Sequence, residues 1–178
     1  MPDTYVRESI DEVDELRDRI LPLRSRLEVR NRWLKERLDT FLPVLMKKEG
    51  FDMWIVIARE YNEDPVMMTL LPEPQMFARR RTILLFTLRK DDTIERLTVS
   101  RYGLGDFYKA MWDPEKEDQY ICLARLVKKR KPKVIGINVS ETFAFGDGLT
   151  HGEYGQLARA LGPRYVKHFK GAERLAVG

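Results

Sequence analysis

The sequence predicts an α/β fold, a mixed β-sheet with helices on its faces. Three observations lead there. Residues 53–58 and 134–139 are continuous apolar runs, too short for free-standing helices and suited to strands covered on both faces. Residues 82–88 and 94–101 flank a polar segment and make the best hairpin in the chain. Around these lie stretches with helical apolar spacing, so helices and strands alternate.

In chain order, Ile10, Val13, Leu16 and Ile20 are spaced for a short amphipathic helix that Pro22 ends. Residues 1–25 are read as a helical leader and 26–178 as the domain. From Leu27 onward, Leu34, Leu38, Phe41, Leu42 and Leu45 share one face. They predict a long helix to about Lys48, kinked or restarted by Pro43 and ended by Gly50. Asp113-Pro114-Glu115 combines a capping residue, a proline and an acid, which predicts a helix start, with the helix running to about Arg130. The strand at 134–139 follows that helix and is expected to lie parallel to a neighbour. Thr150 and Glu153 have capping-box spacing and open a helix through Ala160. Gly162-Pro163 breaks it, and residues 165–169 read as the last strand.

At 178 residues, 43% hydrophobic and 34% charged, the chain has the composition of a globular unit with a real core. No apolar stretch approaches a membrane span. The N-terminus carries an acidic run instead of a basic, then apolar, leader, so a cytoplasmic location and no membrane partner are expected. Cys122 is the only cysteine, which excludes an internal disulfide, and its apolar helical setting reads as core. The net charge is +4, with clusters at Arg79-Arg80-Arg81 and Lys128-Lys129-Arg130-Lys131. The second cluster sits at a helix C-terminus, which favours cations, and neither is interleaved with stacking aromatics. Nucleic-acid binding is therefore not expected.

Several patterns imitate active sites. Gly103 and Gly105 follow a strand, but Tyr108 stands where a dinucleotide fingerprint needs glycine. Gly146-Asp147-Gly148 is turn chemistry. Ser140, Asp147 and His151 supply the residue types of a hydrolase triad without a nucleophile elbow. His151 reads as part of a first helical turn and His168 as part of the last strand, and neither has metal-ligand spacing. Glu63-Asp64 and Asp91-Asp92 read as solvated turns. No catalytic residue and no metal ligand emerge from the sequence.

Residues 53–65 (Met53 through Asn62 to Pro65) and 79–86 (Arg79 to Phe86) resemble the creatinase/prolidase N-terminal domain of the Xaa-Pro aminopeptidase and prolidase family. Residues 135–140 are similar to that family's late strand, and Ala172-Glu173-Arg174-Leu175 to its junction with a catalytic domain. The resemblance covers about residue 26 onward. It implies a ribonuclease-H-like sheet that supports oligomerisation, as a homodimer or larger homo-oligomer, and walls a peptide-substrate cleft. It also implies a dinuclear Mn, Co or Zn centre in a C-terminal pita-bread domain absent from this chain, so no cofactor is expected here. Tyr61, Asn62 and Asp64 become candidate cleft-rim residues. Many relatives carry an Asn-x-x-Tyr-Leu-Thr-Gly type segment, whereas here Asn62 precedes Glu63-Asp64-Pro65 and a bulky run. The alternative is a freestanding, non-enzymatic module that binds peptide, protein or nucleic acid.

Overall fold

The structure is a computed structural model that describes residues 19–75 and 77–178. The leader helix expected over 10–20 lies almost wholly outside the described residues. Helix α1 (Leu23–Glu36) begins before Arg26, so the boundary expected between 25 and 26 falls inside a helix. The long helix then runs through a π-helical turn, Arg37–Phe41, into α2 (Leu42–Glu49). Pro43 explains the interruption: it has no N–H to donate and its ring crowds the preceding turn. The wider turn relieves that conflict, with the Leu42 N–H donating five residues back to the Arg37 carbonyl. Gly50 closes α2 at φ 73, a left-handed conformation that suits glycine.

Strand β1 (Met53–Arg59) follows, then the short helix α3 (Pro65–Leu70) and strands β2 (Arg81–Leu88), β3 (Ile94–Thr98) and β4 (Lys109–Ala110). Helix α4 (Gln119–Arg130) leads to β5 (Ile135–Ile137), and α5 (His151–Leu161) and α6 (Pro163–Val166) lead to β6 (Phe169–Gly171) and α7 (Glu173–Val177). The strands form one mixed sheet in the order β4-β3-β2-β1-β5-β6. The expected hairpin is present, β2 being antiparallel to both β1 and β3, and β5 lies parallel to β1.

Two expectations are corrected. Residues 113–117 form a separate turn and α4 starts at Gln119, because the Trp112 indole bonds the Glu117 carbonyl at 2.8 Å and Asp118 supplies the cap to Tyr120 N–H at 2.8 Å. Residues 163–166 are helical, so the last strand begins at Phe169 and His168 precedes it. Pro163 at the first turn restarts the helix that Gly162 ended.

Period-two alternation sends β1 to both faces of the sheet. Met53, Ile55 and Ile57 meet Tyr120, Leu123 and Leu157 from α4 and α5. Trp54, Val56 and Ala58 meet the side of α1, α2, α3 and α7, including Leu34, Met46 and Leu175. Each buried Met, Ile, Val or Leu among them stabilises the fold by about 1.5–3 kcal/mol, which is why this strand reads as an unbroken apolar run.

Candidate functional site

The three residues expected at a cleft rim occupy different environments. Tyr61 is 94% exposed and has φ 66, a conformation that strains a bulky residue. Asn62 is exposed, and its N–H donates to the Arg59 carbonyl at 3.0 Å in a tight turn. Asp64 is fully buried. Its Oδ1 accepts the Val66 N–H at 2.8 Å, capping α3, and its Oδ2 accepts from Asn138 Nδ2 at 2.7 Å. Asn138 Oδ1 in turn accepts the Trp54 indole N–H at 2.8 Å. Burial raises the Asp64 carboxyl above its ordinary value of 3.8, and these bonds oppose the rise. A side chain at position 148 would overlap this carboxylate, so Gly148 is required by the close approach. Asp64 therefore joins α3, β1 and the end of β5 from within. The sequence reading of Asp64 as part of a solvated turn is corrected: the residue is buried as a helix cap, bonded to Asn138, 74 residues away, which in turn holds Trp54, 84 residues from it.

The apparent triad is not assembled. Ser140 Oγ donates to Glu173 Oε1 at 2.5 Å and accepts the Phe143 N–H at 2.7 Å, while the Ser140 N–H donates to Asp147 Oδ1 at 3.0 Å. His151 is exposed on the first turn of α5. Cys122 is buried, its thiol donating to the Met111 carbonyl at 3.2 Å, and burial pushes it up to about 11.

The basic clusters are divided by the fold. Arg81 turns inward to Glu153, with Nε to Oε2 at 2.9 Å, and lies over the Tyr120 ring at 5.0 Å. The Glu153 side chain is 1% exposed and also accepts the Tyr120 hydroxyl at 2.5 Å. Thr150 caps α5 as its spacing predicted, but Glu153 serves this cluster, which ties α4 and α5 to the start of β2. Arg130 likewise bonds Glu95 at 2.5 Å.

An open groove of about 870 Å³ lies beside α1. Trp33, Arg37 and Phe41 line one wall, and Met68, Leu71 and Glu73 the other. Trp33 is 58% and Phe41 47% exposed. Phe41 was expected on the buried helical face, and the π turn, by adding a residue to the helical repeat, changes where it points. Val44 on α2 and Val177 on α7 are also exposed apolar residues. Asn31 Nδ2 donates to the Glu73 carbonyl at 3.1 Å, and its Oδ1 accepts the Glu73 N–H at 2.8 Å. Arg37 donates to the Thr69 carbonyl at 2.7 Å. The Glu73 carboxylate is buried. Its Oε1 is ion-paired with Arg30, and neither oxygen has a hydrogen-bond partner among the described residues.

Among the described residues no three His, Cys, Asp or Glu side chains gather as a metal site requires, and no helix is long and apolar enough to cross a membrane. Compared with known proteins, the chain matches no family model, no curated protein and no solved structure.

Proposed function

We propose that this chain is a non-catalytic accessory domain of a metal-dependent peptidase of the Xaa-Pro aminopeptidase and prolidase type, supporting homo-oligomerisation and walling the substrate cleft. A ribonuclease-H-like arrangement and a cytoplasmic location belong to the same proposal. The mixed sheet with helices on both faces supports the first.

The observation that carries the reading is a contrast between interior and surface. Buried Asp64, Tyr120 and Glu153 are bonded to neighbouring side chains in ways that join secondary-structure elements. The groove, in contrast, leaves Trp33 and Phe41 exposed along an open concave face. Groups bonded as these are hold a fold together, and exposed aromatic and arginine side chains around a concavity are what docking surfaces use. On this reading the dinuclear metal centre resides in a separate catalytic domain. Tyr61 and Asn62 are the rim residues that face peptide, with Asp64 as the cap beneath them.

The purified chain, supplied with Mn²⁺ or Co²⁺ and an Xaa-Pro peptide, is expected to give no turnover above the metal alone. Turnover at an enzymatic rate would overturn the proposal. The same groove also favours the second reading, a freestanding module that binds peptide or protein. Nucleic-acid binding gains no support, because Arg81 and Arg130 face carboxylates of their own.

A further inference from the structure

We propose that the groove beside Trp33 takes a segment of a partner protein that presents a lysine or arginine next to a large apolar side chain, the cationic head meeting Glu73 and the apolar group lying on Trp33 and Phe41. This rests on the accessory-domain reading only in treating the groove as a docking surface.

The sign of the occupant's charge follows from what is already paired. Arg37 on the near wall is engaged by the Thr69 carbonyl, and Arg30 by Glu73 Oε1. Among the described residues neither oxygen of the Glu73 carboxylate has a hydrogen-bond partner, Arg30 meeting Oε1 as an ion pair only, and the side chain is only 3% exposed. A buried carboxylate oxygen without a donor carries an uncompensated desolvation cost, which a cationic donor removes and an anion increases. The Arg30 side chain is half-exposed.

The shape of the site points to a protein segment. The concavity is open, and apolar exposure recurs on α2 and α7 at Val44 and Val177, beyond what a small ligand would cover. Trp33 and Phe41 offer ring faces to apolar or cationic groups. The two bonds from Asn31 fix the Glu73 backbone, so the carboxylate is positioned before anything arrives. A π turn lies in the groove wall, and such turns recur at functional sites.

The test uses two capped peptides, acetyl-Gly-Leu-Lys-Phe-Gly-amide and the same peptide with norleucine for lysine, titrated into the chain while the Trp33 indole N–H signal is followed by NMR. The lysine peptide is expected to bind about tenfold tighter than its uncharged twin, the size of one charge-assisted hydrogen bond. Glu73→Gln is expected to abolish that preference, and Phe41→Ala, an exposed position whose loss leaves the Trp33 signal in place, to weaken both peptides. Equal affinities on the unaltered chain would overturn the choice of a cationic occupant without needing any variant to fold. Binding of neither peptide would overturn the docking surface itself, while the turnover assay judges the peptidase proposal separately.

Discussion

Asn31 and Glu73, 42 residues apart in sequence, exchange two hydrogen bonds in which the Asn31 amide engages both the N–H and the carbonyl of Glu73. A side chain here does the work of a strand neighbour, fastening the chain that leaves α3 onto α1. Asn31→Ala leaves both backbone groups without that partner. Because the pair is only partly buried, the expected loss is about 1–2 kcal/mol in a urea titration, with weaker binding of the lysine peptide in parallel. Unchanged stability would mean water replaces the amide without cost.

Asp64→Asn is expected to destabilise by about 1–3 kcal/mol. The relay from Trp54 through Asn138 is directional, so the new amide sets one N–H donor against another wherever it still caps Val66. The pH dependence has a definite sign. Burial raises the folded-state value of Asp64 above its ordinary 3.8, so its contribution is fully present below the unfolded value and is lost as pH rises through the folded one. The stability advantage of the native chain over the Asn variant should therefore shrink as pH rises across that window. Paired denaturation curves at several pH values check it, and an advantage that grows with pH would contradict the assignment.

The strands were legible and the relays were not, for physical reasons. A strand buried on both faces must be apolar at every position, so residues 53–58 declared themselves. Local bonds were also readable: Gly50 as a left-handed cap and Thr150 as the partner of the Glu153 N–H lie within a few residues of what they serve. The start of α4 was misplaced because the Trp112 indole competes for the Glu117 carbonyl, a choice that spacing does not encode. The groove depends on a π turn that changes where Phe41 points and on a loop brought to Asn31 by the whole domain. Its aromatic and charged residues looked like an ordinary helix face.

Glu153→Ala should be the most damaging of the single changes considered. It removes the acceptor of both Arg81 and Tyr120, leaving a guanidinium three-quarters buried without its carboxylate. A loss of about 3 kcal/mol is expected, at the low end for a broken buried pair because Arg81 retains some contact with water. Thermal unfolding monitored by circular dichroism reads this directly. A loss below about 1 kcal/mol would place the pair among surface ion pairs.

Cys122 should resist alkylation by iodoacetamide near neutral pH until the chain is unfolded. Its thiol is buried and pushed up to about 11, so the reactive thiolate is scarce and shielded. Rapid modification of the folded chain, followed by mass spectrometry, would contradict this placement.

The accessory-domain proposal is tested most directly by reading the coding sequence onward from Gly178. A further domain of about 200 residues carrying two Asp, one His and two Glu in pita-bread order is the expected result. A stop codon directly after Gly178 would contradict it and leave the groove as the binding site of a freestanding module.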